Sequence, residues 1–195
     1  ISWVNNSGGG GGGGASSLND LNDVKYDTSS ELSLFVGSIP ANLDSAQNSV
    51  SLGYQSVYDL TTGDNNTAIG FKSLFELTTG SNNTAIGKES CKGNSSNPLT
   101  GSGNTCLGAS SGLLIHTGAT NNTFLGFSSG NEVTTGTNLI CVGANTNPSS
   151  STASNEITLG DSNITALRCA DTSLVTLSDK RDKKDIIDSN YGLSF

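Results

Sequence analysis

Few residues of this sequence could do chemistry, and they are concentrated near its end. His116 is the only histidine, so one chain cannot assemble a His-based metal cluster or a Ser/His/Asp triad. Peptide hydrolysis without histidine needs a nucleophile and another base, and a serine hydroxyl activated by a lysine of lowered pKa is one solution. The run 178–186 supplies Ser178 and three lysines. The same run also fits the solvated start of a helix with Ser178 as its N-cap, and the two interpretations are compatible.

The carboxylates of the central region do not predict a glycosidase, which needs two converging carboxyl groups. The candidates occupy differing repeat phases or turns: Asp59, Asp64, Glu76, Glu89, Glu132, Glu156 and Asp161. No pair is implied, so we expect no turnover enzyme in 1–178. A glycan depolymerase activity would have to reside upstream of Ile1.

The four cysteines predict packing and not bonding. Cys91, Cys106, Cys141 and Cys169 have no CxxC spacing, and two of them lie in the middle of an apolar strand. A free cysteine packs as a small hydrophobic residue. We therefore predict core fillers instead of disulfides or metal ligands, and we expect no cofactor.

Composition argues against an ordinary globular core. The 195 residues include 25 glycines and only 33% hydrophobic residues, with a net charge of −8. Residues 1–178 carry five basic and 13 acidic side chains, whereas 179–195 carry four of each, so no basic face predicts nucleic-acid binding. No apolar run is long enough to predict membrane insertion. Methionine is absent and the chain opens on Ile1, so we expect an excerpt or a processed piece.

Seven copies of one phrase dominate the centre of the chain, each with an Asn, β-prone residues, an aliphatic residue and a glycine. The copies are NSVSLG at 48–53, NNTAIG at 65–70 and 82–87, GNTCLG at 103–108, NNTFLG at 121–126, NLICVG at 138–143 and NEITLG at 155–160. Their closing glycines are 17, 17, 21, 18, 17 and 17 residues apart. A fixed period in this range predicts stacked units.

Both faces of the repeated strand look buried. The residue before the glycine and the residue two before it share a face, as do Ile69 and Thr67, while Ala68 points the other way. A strand apolar on both faces needs cover on both sides, which coils packed against sister chains would supply. The glycine allows a corner, and the first Asn of the phrase can bond backbone or stack as an amide ladder. We therefore predict an all-β, β-solenoid-like coil assembled as an elongated parallel homotrimer.

The remaining segments divide the chain further. Residues 1–17 contain seven consecutive glycines and predict a flexible linker. We interpret 18–47 as a collar or degenerate first rung, 48–163 as the repeat body and 164–178 as a strand leading to the charged run. Residues 179–195 would begin a further, truncated segment.

The string NNTAIGFKSLFELTTGSNNTAIG resembles repeats of phage tail fibres and is similar to the β-roll heads of trimeric autotransporter adhesins. In both families the functional unit is a homotrimer, and the resemblance covers 48–163. It implies two identical chains as partners.

The run from Ser178 to Ile186 resembles the SDxRxKxxI signature that opens the C-terminal intramolecular chaperone of endosialidase-type tailspikes. That family trimerises through the chaperone and then cuts it off after the serine. The resemblance implies that Ser178 is the nucleophile or cleavage-site residue, that the Ser178–Asp179 bond is cut, that Lys183 is the base, and that Arg181 pairs with a carboxylate or positions the loop.

These resemblances predict a structural tail-fibre or spike segment of a virion, extracellular when functional, that attaches to a host glycan or protein receptor and contacts other tail proteins. The alternatives are a trimeric surface adhesin head and the shaft of a glycan depolymerase tailspike. An ice-binding solenoid is a weaker candidate, because the repeats supply a single Thr each in four copies.

Overall fold

A computed structural model describes residues 24–26, 33–37, 40, 43–94 and 96–168. Its elements are nine strands of three residues: β1 Val24–Tyr26, β2 Leu34–Val36, β3 Val50–Leu52, β4 Thr67–Ile69, β5 Thr84–Ile86, β6 Thr105–Leu107, β7 Thr123–Leu125, β8 Ile140–Val142 and β9 Ile157–Leu159. No helix occurs in these ranges. The strands belong to the first of two compact units, Ile1–Ile164; of the second, Thr165–Phe195, the described residues 165–168 carry no strand.

The nine strands form one sheet in chain order. The pair β1 and β2 is antiparallel, and every later pair is parallel with equivalent repeat positions opposite each other, as in Thr67 to Thr84 and Ile69 to Ile86. For neighbouring strands to run parallel in this way, the chain must travel back after each strand to the side of the sheet where that strand began. The fold is therefore a parallel β-solenoid of about seven turns. The predicted all-β solenoid is therefore confirmed, whereas a single chain does not test the homotrimer.

In β3 to β9, only the middle residue of each strand points into the coil. We call these residues the inner row: Ser51, Ala68, Ala85, Cys106, Phe124, Cys141 and Thr158. From Ser51 to Cys141 they are buried, and they pack against a second interior line that includes Leu60, Leu77 and Leu99. Side-chain sizes are balanced across the narrow interior. Glycine lies next to the large Phe124, because a Cβ on Gly112 would lie 2.9 Å from the Phe124 ring.

A ladder of buried asparagines stacks along the solenoid. Nδ2 of Asn83 donates to Oδ1 of Asn66 at 3.1 Å, and Asn104 and Asn122 continue the chain of bonds at 3.1 and 3.0 Å. Each Nδ2 also donates to a backbone carbonyl, and each Oδ1 also accepts the backbone N–H of the next turn, for example Asn104 N–H at 2.9 Å. The buried amide groups are thus satisfied without water.

We predicted the amide ladder at the first Asn of the phrase, but the residue one position later forms the buried ladder. That first Asn turns the corner instead, with positive φ values of 57° at Asn65 and 60° at Asn82. This requirement explains the one copy that lacks it, because Gly103 takes the same turn with φ of 72°.

The closing glycine is needed for a different reason. Gly87 has φ of 133°, and a Cβ there would lie 2.6 Å from the backbone of Gly108 in the next turn.

Candidate functional site

The residues with predicted chemical roles lie outside the described part of the chain. Ser178, Asp179, Arg181 and Lys183 all follow residue 168, where the description ends. Their cleavage chemistry stays a prediction. The candidate site that the structure does describe is a surface of the solenoid.

This surface consists of two rows of side chains that point outward from the sheet. The opening row is Val50, Thr67, Thr84, Thr105, Thr123, Ile140 and Ile157, and the closing row is Leu52, Ile69, Ile86, Leu107, Leu125, Val142 and Leu159. We call the two rows together the outer stripe. Parallel in-register pairing stacks each row on itself from β3 to β9.

The outer stripe leaves aliphatic side chains partly exposed along the solenoid. Leu52 is 51% exposed, Ile86 41%, Leu125 46% and Ile157 67%. The two rows contain only aliphatic residues and threonine, and no charge. The expectation that both strand faces are buried is thus not met within one chain, because only the inner row is covered.

The corners after Gly53 and Gly70 carry an ordered cluster of aromatic rings and a lysine. Tyr54 stacks on Phe71 with ring centroids 6.1 Å apart, and Tyr58 stacks on Phe75 at 5.3 Å. Nζ of Lys72 lies 5.4 Å and 5.0 Å above the Phe71 and Phe75 rings, a cation–π geometry. These contacts bind consecutive turns to each other.

In the next turn, lysines replace the rings. Lys88 and Lys92 both pair with Glu89, with N–O distances of 3.7 and 3.6 Å. The cations at this corner therefore already have partners, and the cluster reads as structural rather than as a ligand site.

Two carboxyl groups meet beneath this corner, so the expectation that the candidate carboxylates occupy differing repeat phases and form no pair was wrong here. Asp59 and Glu76 both stand six residues after a closing glycine, so stacking brings them together. Burial, then the hydrogen bond and charge of Asp59, raise the pKa of Glu76, while Lys92 and Lys72 oppose the shift. Hydrogen-bonded carboxyls are closer than the roughly 5 Å or more that glycoside hydrolysis requires. The pair therefore does not support a glycosidase.

The cysteine prediction was partly wrong. Cys91 and Cys106 are buried as expected, but they form a disulfide, with Cα atoms 6.0 Å apart. The bond spans the 21-residue interval, the longest in the repeat body. Cys91 reaches the interior from a turn with positive φ, which spacing alone does not reveal. Cys141 is buried and free, and burial together with Glu156 raises its pKa to about 11. Cys169 lies outside the described residues.

Other site types lack supporting geometry. Among the described residues no three His, Cys, Asp or Glu side chains are grouped as metal ligands would be. Over the same residues there is no helix of the length and apolarity needed to cross a membrane.

Comparison of this chain with models of protein families, with curated proteins and with solved structures gives no match. The features that indicate a function are therefore the geometry of the outer stripe and the resemblances in the sequence.

Proposed function

We propose that this chain is a segment of an elongated homotrimeric attachment fibre or spike of a virus, in which the outer stripe is the contact between copies. The observation that carries the proposal is an uncharged, largely aliphatic stripe that runs along the parallel sheet from β3 to β9. Contiguous apolar patches of more than a few hundred Å² on a soluble chain mark interaction surfaces. With seven strands about 4.8 Å apart, the stripe is roughly 30 Å long.

A copy of the same chain is the occupant that fits best. It necessarily has the same axial period, so its rows match these rows turn by turn. The net charge of −8 opposes approach elsewhere on the surface, whereas the stripe is neutral.

The molar mass in solution tests this proposal. Light scattering coupled to size exclusion should give three times the chain mass of 19.8 kDa. A single species of 19.8 kDa at tens of micromolar would overturn it.

The resemblance of the run after Ser178 supports a maturation step. The Ser178 hydroxyl could reach its own carbonyl carbon only by closing a strained four-membered ring, so we assign Ser178 as the cleavage-site residue whose hydroxyl orients a water molecule. Lys183 takes a proton from this water, the water oxygen attacks the Ser178 carbonyl carbon, and the proton passes to the Asp179 nitrogen. The Ser178–Asp179 bond breaks, which leaves a carboxylate on Ser178 and releases the chain that begins at Asp179. Removing an assembly segment in this way leaves a trimer whose unfolding barrier is high.

Protein in which any sequence that follows Phe195 is retained tests the step. Ser178→Ala and Lys183→Ala should each leave uncut chain on a denaturing gel while trimers still form. Wild-type trimer that remains uncut would refute it. A trimeric adhesin head is the second candidate, and it predicts an uncut junction.

In the proposed virion, the partners are other tail proteins and a host glycan or protein receptor. Binding of the purified trimer to host cells, lost when it is unfolded, is the corresponding measurement. A glycan depolymerase shaft would need its carboxylates upstream of Ile1.

A further inference from the structure

The two rows of the outer stripe differ in chemistry. Every residue of the closing row is aliphatic, from Leu52 at one end to Leu159 at the other. The opening row is threonine in four successive strands, β4 to β7, and aliphatic only in β3, β8 and β9. A contact centred on the opening row would remove four successive hydroxyls per chain from water, which is unfavourable when they gain no partner.

The ends of the stripe also differ from its middle. Val50, Ile140 and Ile157 give the terminal strands two aliphatic residues each, and Ile157 is 67% exposed. A uniform stripe would permit sliding by one turn, because each turn would look like the next. In this protein, a shift of one chain by one turn along its partner would leave the apolar strand at one end uncovered. It would also place Thr123 of one chain at the height of Ile140 of the other. An antiparallel partner would set Ile140 against Thr67.

From these differences, and resting on the proposed function, we propose that copies of the chain associate in parallel and in register, with the closing row at the centre of the contact and the opening row at its margin. Identical residues then meet at equal height around a symmetry axis parallel to the solenoid. Leu52 of one copy faces Leu52 of the others. The threonine hydroxyls stay near water.

Single-cysteine cross-linking of the 195-residue chain tests both row and register. Leu52→Cys and Val50→Cys lie on the same strand, on the same face, and are 51% and 41% exposed before substitution. Each is made in a Cys169→Ser background and treated with a short bismaleimide. The background chain alone measures any reaction of Cys141. Leu52→Cys should give several-fold more covalent dimer than Val50→Cys.

Each other outcome counts against the proposal. More dimer from Val50→Cys, or little from both in a protein that is trimeric by light scattering, overturns the row assignment alone. Mixed chains of Leu52→Cys and Leu159→Cys that cross-link only to each other show an antiparallel contact. A monomeric wild-type protein would overturn both the proposed function and this inference.

A second pair guards against a local effect at the end of the outer stripe. Ile86→Cys and Thr84→Cys repeat the comparison on β5, where both neighbouring strands also belong to the stripe. Ile86→Cys should again cross-link several-fold more. Equal yields for this pair would overturn the row assignment.

Discussion

Asn104→Ala should be the most damaging small change to the solenoid interior that alters no surface. The Asn104 amide donates to Asn83 Oδ1 at 3.1 Å and to the Ala119 carbonyl at 2.9 Å. Its Oδ1 accepts both the backbone N–H and the side-chain amide of Asn122, at 3.2 and 3.0 Å. Alanine removes all four bonds.

The expected loss follows from which groups remain without a partner. Asn83 Oδ1 still accepts the Asn104 backbone N–H, and Asn122 Nδ2 still donates to Gly136. The Ala119 carbonyl and the Asn122 backbone N–H lose their bonds to this side chain. Each buried unsatisfied group costs about 1–3 kcal/mol, so we expect a loss of roughly 4 kcal/mol in the free energy of unfolding. That is a large share of a typical total of about 5–15 kcal/mol.

Urea unfolding followed by far-UV circular dichroism at fixed protein concentration measures this loss. Asn121→Gly is the matched control, because Asn121 is exposed and directly precedes the ladder residue Asn122. Its φ of 57° suits glycine, and Gly103 already occupies the equivalent position in another copy of the phrase. The control should change the free energy by less than about 0.5 kcal/mol. A loss below about 1 kcal/mol for Asn104→Ala would refute the argument that the ladder is a principal constraint on the interior.

Three further predictions concern other parts of the solenoid. Because the pKa of Glu76 is raised in the folded state, its protonation contributes stability that is fully present below the unfolded pKa and is lost as pH rises through the folded pKa. Glu76→Gln should flatten this decline in thermal melts at increasing pH. Glu132→Gln, which is exposed at the same repeat position, should leave the decline unchanged. Loss of the Cys91–Cys106 disulfide, which closes a loop of 15 residues, should lower the free energy of unfolding by about 3 kcal/mol. A reductant should destabilise the wild type but not the variant in which both cysteines are alanine. Equal sensitivity of the two proteins to the reductant would contradict the pairing. Ile86→Asp should abolish the trimer in light scattering, since each buried unpaired carboxylate costs several kcal/mol, and a trimer that survives would place Ile86 outside the contact.

The predictable part of this protein lies in its repeat. Phase and spacing located the strands from Val50 to Leu159, and the parallel register followed from stacking equivalent positions. The Cys91–Cys106 bond and the meeting of Asp59 with Glu76 were not predicted. Both depend on how turn residues are oriented after the corner, and several of these residues adopt positive φ, which residue type did not signal.

The sequence by itself determined the period, the strand positions and the glycine corners, because these depend on backbone conformation and on which residues permit it. Only the tertiary structure decided which strand face is inside. Alternation alone made both faces look buried, since Ala68 and Ile69 are both apolar. Closure of the coil separates them: the middle residue Ala68 faces the interior that Leu74 and Leu77 also occupy, and Ile69, whose side chain points the opposite way from the strand, is left on the outer surface.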